Sequence, residues 1–434
     1  MALTVEQVFA LAPDPAVAQA ARKLASSRVW SRLGSSEAAI WGECQGSAKY
    51  QVRVARSDLG SRCTCPSRKF PCKHALGLLL RSVEQPIPTV EEPEWVREWL
   101  DKRVSETARE KTRKVAAPPD PEAQARRAEK RLERVRGGLE ILDLWAQDLV
   151  RDGIASLEER PPAFFAQMAA RLVDAQSTGL ARRVRRIGFL AGSDPGWPRA
   201  VLEELGLVAL ASHAFRRIDQ VDAALRADLR QLVGFSFDKE DVIAAGDRIE
   251  DEWVVVGQIV SEDERFRSQR SWLRGLRSGR YALVLQFAPG SAPFEESLLP
   301  GSTIAATLAF WPGAFPQRAL IEDRRAAVEP VVQRLPGFED VAAFLESAAA
   351  AYARQPFLER LCCTIRGVMP FCEEKHFVRD QRGATLPLAG FDNWLLLAVS
   401  GGQPVDIAGE WNGRLLFPLG VAAEGTFHAL RGEE

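Results

Sequence analysis

The sequence predicts an α+β protein. A small ββα module near the N-terminus is followed by a basic helical linker, a helical middle segment and a C-terminal α+β segment. Three observations predict this. Apolar residues first recur at helical spacing and then alternate with polar ones over residues 50–55, as along a half-buried strand. Helical spacing returns and dominates residues 122–232. Beyond these, short apolar runs bounded by Gly, Pro and charged residues take over, as in buried strands. With 434 residues, at roughly 150 per domain, the chain suffices for two or three domains. Its 46% hydrophobic residues can fill their cores, which excludes wholesale disorder.

The elements follow in order. Residues 1–34 are expected to hold two helices. Thr4 and Gln7 have capping-box spacing for a helix that stops before Pro13, and a second helix starts near Asp14 with Pro15 in its first turn. Residues 35–85 form the small module. Ile40 and Trp41 lead into a turn at Gln45-Gly46-Ser47, and Tyr50, Val52 and Val54 alternate with Gln51, Arg53 and Ala55, giving a hairpin. A buried helix over 74–83 ends before Pro86 and Pro88. Residues 86–136 are linker and basic helix, with Trp95 and Trp99 on one helical face. In 137–235, Gly137-Gly138 is expected to interrupt the helix, and further helices are expected over 162–174, 197–210 and 219–232. In 236–434, strands are expected at 253–260, 281–288, 303–311, 394–399 and 415–419, with a hairpin at Asn412-Gly413 and one helix over 339–353.

Cys63-Thr-Cys65 followed by Cys72-Lys-His74 is the most informative pattern. Zinc takes four soft or borderline donors in a tetrahedron, thiolate sulfur at about 2.3 Å and imidazole nitrogen at about 2.0 Å. Residues two apart in extended chain point to the same side, so Cys63 and Cys65 can share an ion. Cys72 and His74 would complete it from the turn that opens the next helix, with Pro66 and Pro71 stiffening the intervening loop. Four protein donors leave no open position, so the expectation is one structural Zn²⁺ with no catalytic role. The competing readings are buried free cysteines or a redox dithiol. The latter usually spaces its thiols C-x-x-C beside a βαβ pattern, which is absent here.

The stretch WGECQGS at 41–47, the alternating strand after it and CTCPSRKFPCKHALGLLL at 63–80 resemble the SWIM zinc finger family, whose signature is C-x-C-x(n)-C-x-H. Cys63, Cys65, Cys72 and His74 match its four ligand positions. The resemblance implies a zinc-stabilised SWIM module over about 35–85 that binds DNA or other proteins. Segments 138–153 and 395–413 are similar to bacterial SWIM-containing proteins, whose genes often lie near MoxR-type AAA ATPases and von Willebrand A domain proteins. Such proteins are therefore the partners that the resemblance implies.

Charge narrows the remaining classes. Residues 50–85 carry seven basic and two acidic side chains, and residues 102–136 twelve and six; with the whole chain at -1, everything else carries -12. A basic front third on an acidic body can meet phosphates, an acidic protein surface or its own acidic half. Arg62, Arg68, Lys69, Lys73, Arg126, Arg127, Lys130 and Arg134 are the candidate contacts for nucleic acid or a protein partner. Arg182, Arg183, Arg185 and Arg186 read as a solvated helix end. Cys362, Cys363, Cys372 and His376 form a weaker ligand-rich group, in which a helix would place Cys372 and His376 on one face. Cys44 reads as a core or hairpin residue.

No phosphate loop, dinucleotide fingerprint, H-E-x-x-H or nucleophile elbow occurs, and only four histidines are present, so an enzyme is not expected. No run approaches the ~18 uncharged apolar residues of a membrane helix. The first 25 residues lack a basic start before an apolar run, which argues against a signal peptide. Seven cysteines in so long a chain argue against a disulfide scaffold. The expectation is a cytoplasmic interaction module working in a protein assembly, with nucleic-acid binding as the alternative.

Overall fold

The computed structural model describes residues 3–430 apart from 14, 27, 68, 113–120, 263–265, 291, 293, 326–328, 331–333 and 391–392. The chain opens with helices α1 (Val5–Ala10) and α2 (Pro15–Ala25). The Thr4–Gln7 capping box forms with both of its hydrogen bonds.

Next comes an antiparallel sheet of β1 (Trp30–Ser35), β2 (Ala39–Gln45), β3 (Lys49–Ala55) and β4 (Ser61–Cys63), paired in that order, and then helix α3 (Lys73–Glu84). The expected ββα unit is thus too small, since β1 and β4 flank the hairpin. Sequence alternation hides β1 because its pairing with β2 is irregular between Ser31 and Gly34, where Arg32 adopts φ 49°. On one face of the sheet, Ile40, Val52 and Val54 pack with Val8, Ala21, Leu76 and Leu79 of α1, α2 and α3. The other face is covered by α4 (Glu94–Thr112), where Trp41 and Ala55 meet Val96 and Trp99. That second layer explains why Arg53 and Ala55, expected on the polar side of the strand, are buried. The Arg53 guanidinium lies 5.1 Å from the Trp95 ring and 5.8 Å from the Trp99 ring.

The middle of the chain is α5 (Pro121–Asp152), α6 (Pro162–Asp174), α7 (Thr178–Leu190), α8 (Trp197–Arg216) and α9 (Ala223–Val233). Leu139, Leu142, Leu172, Leu180, Val208, Phe215 and Leu229 form their common core. Helix α5 runs unbroken through Gly137-Gly138, which corrects the expected interruption. A Cβ at Gly138 would stand 2.5 Å from the Cβ of Ala175, so the glycine permits close helix approach. Of the arginine run, Arg182, Arg185 and Arg186 are exposed as expected, but the run lies inside α7 and not at a helix end, and Arg183 is corrected: it shares the buried face with Leu180, Val184 and Ile187. Arg183 donates to Glu204 Oε2 at 2.9 Å and to the Phe357 carbonyl at 3.2 Å.

After the short helix α10 (Lys239–Ala245), strands β5 (Arg248–Glu262), β6 (Phe266–Gly275), β7 (Tyr281–Pro289), β8 (Ser302–Phe310), β9 (Ala319–Arg324) and β10 (Glu329–Pro330) form one antiparallel sheet. Helix α11 (Val341–Arg354) precedes a second, made of β11 (Leu361–Cys372), β12 (His376–Arg379), β13 (Thr385–Pro387), β14 (Val405–Trp411), β15 (Leu416–Ala423) and β16 (Thr426–Ala429). Val254, Val256 and Trp272 of the first sheet pack on Ala408, Leu419 and Phe427 of the second. The run expected as a strand at 394–399 is instead helix α12 (Trp394–Ser400), ended by Gly401 in the left-handed region. A short apolar run has no decisive period, and here Leu396 and Ser400, one helical turn apart, are the buried pair.

The N-terminal layers are continuous with this body. Leu299, just before β8, is fully buried in the same core as α1 to α3, and Gln7 Nε2 donates to the Gly301 carbonyl at 3.3 Å. No helix among the described residues is long and apolar enough to cross a membrane.

Candidate metal centre

Pairing between β3 and β4 sets the first half of the site. Cys63 stands opposite Val52, the Thr64 N–H donates to the Gln51 carbonyl at 3.1 Å, and the Gln51 N–H returns a bond to Thr64 Oγ1 at 3.0 Å. The amide and the hydroxyl of Thr64 are thereby tied to β3, and Cys63 and Cys65 are left on the same side of it. The second half is the start of α3. Cys72 is its N-cap residue, with extended backbone (φ -75°, ψ 164°), and His74 lies in its first turn. The His74 ring is buried against Tyr50, centroids 5.0 Å apart, and the Tyr50 hydroxyl is fixed 2.6 Å from that of Ser47.

The ligand atoms of Cys63, Cys65, Cys72 and His74 all lie within 4.8 Å of one another, with Cys63 Sγ 3.8 Å from His74 Nδ1. Tetrahedral zinc at its usual bond lengths separates neighbouring donors by roughly 3.5 to 3.8 Å, so the four need only a slight contraction. Proton distribution agrees with this. A hydrogen bond to the Cys72 sulfur pushes the Cys63 thiol up, with burial adding to it. That same bond lowers Cys72 to about 4 against the opposing effect of burial, aided by the His74 side chain and the amides of Ala75 and His74. Burial pushes Cys65 up as well. Three thiols packed this closely, one of them buried and two partly so, cannot all ionise unaided. A dication supplies the missing positive charge and takes over the role of the shared proton. The donor set thus fits Zn²⁺, and four side chains saturate it.

The remaining sequence candidates are scattered. Arg62 is exposed on β4, and Lys69 and Lys73 are exposed around the start of α3. Arg126, Arg127, Lys130 and Arg134 are exposed along the first half of α5, and Arg68 lies outside the described residues. The second ligand-rich group does not form a site. Cys362 and Cys363 are neighbours on β11 and face opposite ways into two different cores, where burial pushes both thiols well up. Cys372 and His376 pair across the β11–β12 hairpin, not along a helix. Among the described residues, the convergent donor set is the one at 63, 65, 72 and 74. Cys44 is fully buried behind the hairpin, where burial pushes its thiol up.

Sequence reasoning missed the part played by Tyr50. Its place on the apolar side of the alternating strand was the available signal, but that α3 would bring His74 beneath it was not.

Two family models match the chain. A SWIM zinc finger covers residues 45–82, and a SWIM-associated four-helix bundle domain covers residues 130–233, which run from the middle of α5 to the end of α9. No curated protein and no solved structure matches.

Proposed function

The chain is a SWIM-type family protein, and from that premise we propose that it acts without catalysis, as a cytoplasmic module whose zinc-held sheet docks a protein partner in a larger assembly. The observation that carries this reading is the saturated donor set. An ion held by three thiolates and an imidazole has no position for water or substrate, so its effect is to keep a surface in shape. The continuity of that surface with the C-terminal body, through Leu299, supports a rigid docking platform in place of a finger on a flexible tether. The family resemblance points to a bacterial assembly built around a MoxR-type AAA ATPase, with von Willebrand A domain proteins as further candidates. The test is isolation of the tagged full-length protein from its native cells at physiological salt. A stoichiometric protein partner is expected, and it should be lost with Cys72→Ser. Wild-type protein that emerges with no partner sinks the reading.

Nucleic-acid binding is the second reading, favoured by the exposed cations of β4, α3 and α5. If about six phosphates were neutralised, log K would fall against log salt with a slope near -5. Absence of affinity for single- or double-stranded DNA or RNA at low salt removes it.

A further inference from the structure

A cleft of about 400 Å³ opens beside the metal centre, between the loop that carries the cysteines and the inner face of α4. Arg62, Lys69, Lys102 and Arg103 line it, with Phe70 and Trp99 as apolar wall, and no described residue of the lining is a carboxylate. Arg103 is held in place. It forms an ion pair with Asp58, its guanidinium stacks 5.3 Å from the Trp99 ring, and it lies against Gly60, where a Cβ would stand 2.6 Å from its nitrogen. The zinc cysteines form part of the same wall, where zinc with three thiolates leaves a formal charge near -1, and Asp58 adds another behind Arg103, so the four cations still leave the cleft with a net positive formal charge.

We infer that this cleft binds an acidic segment of the partner protein: Asp and Glu carboxylates meet Arg62, Lys69, Lys102 and Arg103, and an apolar side chain between them packs on Phe70. The inference rests on the protein-docking reading above. Two observations favour a peptide over a nucleic acid. The Trp99 ring is only 6% exposed and already engaged by Arg53 and Arg103, which leaves Phe70 as a lone stacking face in the lining, where a single-strand binder sets several in a row. Outside residues 50–85 and 102–136 the chain carries -12, which repels a long polyanion but tolerates a short acidic stretch seated in the cleft.

Fluorescence anisotropy on the zinc-loaded full-length protein tests this with two probes, a labelled Asp/Glu peptide of about ten residues with one central Leu and an oligothymidylate of equal charge. The peptide should bind more tightly than the oligonucleotide. Its Kd should rise about tenfold or more with the double change Arg62→Glu and Lys69→Glu, and likewise with Lys102→Glu. Arg171→Glu with Arg185→Glu, exposed on α6 and α7 outside the cleft, should leave it unchanged. Zinc content measured on each variant establishes that the module is intact. Absence of peptide binding, equal losses from this control variant, or tighter oligonucleotide binding through the same residues would each overturn the inference. Partner isolation separates it from the reading beneath it. If the cleft variants retain the native partner, the cleft is wrong while docking stands. If no form retains one, docking itself fails, and the peptide titration still judges the cleft.

Discussion

The metal centre and the buried carboxylate of Glu410 place charge in the interior by opposite means. The metal donors come from twelve consecutive residues, Cys63 to His74, joined by one loop whose closure costs little. Glu410, on β14, is wholly buried and accepts from Arg360 at 2.6 Å, from Trp272 Nε1 at 2.7 Å and from Arg270 Nε at 3.2 Å. Two of those partners lie 138 and 140 residues away in the chain. A local site assembles wherever its loop folds and its ion is available. The distant one exists only after two sheets have packed, and once packed it cannot lose a member without leaving charge stranded in a dry interior.

The largest expected effect is at the first of these. Structural zinc contributes an apparent ~10 to 16 kcal/mol in small fingers, as much as the whole stability of about 5 to 15 kcal/mol of a domain. Complete chelation, or Cys72→Ser, should abolish amide protection across β4 and α3 and weaken it in α1 and α2, which share their core, while the two C-terminal sheets stay protected. Hydrogen exchange checks this, and unchanged protection over residues 63–80 would break the comparison.

The second effect is smaller and sharper. Glu410→Ala removes the acceptor that Arg270, Arg360 and the buried Trp272 N–H share and should cost about 2 to 3 kcal/mol, read from the denaturation midpoint of the C-terminal body. Glu410→Gln keeps an acceptor for the Trp272 N–H and should cost less. Losses below about 1 kcal/mol for both would show that water reaches this site and screens it.

The smallest concerns Asp251 on β5. Burial raises its carboxyl, but hydrogen bonds from the Ser278 hydroxyl and from the amides of Ser278, Arg277 and Glu252 outweigh burial and hold it below the ordinary carboxylate range. A lowered native pKa gives stability that is fully present above the unfolded value of about 3.9 and is lost as pH falls through the native one. Asp251→Ala should therefore cost about 1 to 3 kcal/mol near neutrality, from amides left unpaired, and should flatten the acid limb of stability below about pH 5. Urea unfolding across that range measures it. An unchanged acid limb would assign the limb to other carboxylates, such as Asp380, whose backbone hydrogen bonds also hold it low against burial.

Legibility in the sequence followed the same division. The capping box at Thr4, the Gln45–Ser47 hairpin and the helix over the zinc histidine are local, and each formed where the residues placed it. The hairpin at Asn412-Gly413 formed too, though Trp411 pairs with Leu416, so that residues 412–415 make the loop in place of a two-residue turn. Some misreadings were local, such as the run at 394–399, whose few apolar residues carry no decisive period. Others involved partners far away. Gly138 looked like a helix breaker because Ala175, the neighbour it accommodates, belongs to the end of another helix. Arg183 looked solvated because Glu204 and Phe357 could not be seen beside it. Arg53 and Ala55 looked exposed because α4 had not been laid over the sheet.

By itself, then, the sequence determined the four zinc donors, the helical middle and the strands β5, β7, β8 and β15 of the body, since each depends on residue type and period within one turn or one strand. Tertiary structure decided which charged side chains are buried, that the zinc module is a two-faced sheet joined to the C-terminal body, and that the basic residues around it enclose a cleft. The physical reason is reach. Backbone preference and metal coordination act over a few residues, whereas desolvation and ion pairing depend on whatever the packed chain brings alongside.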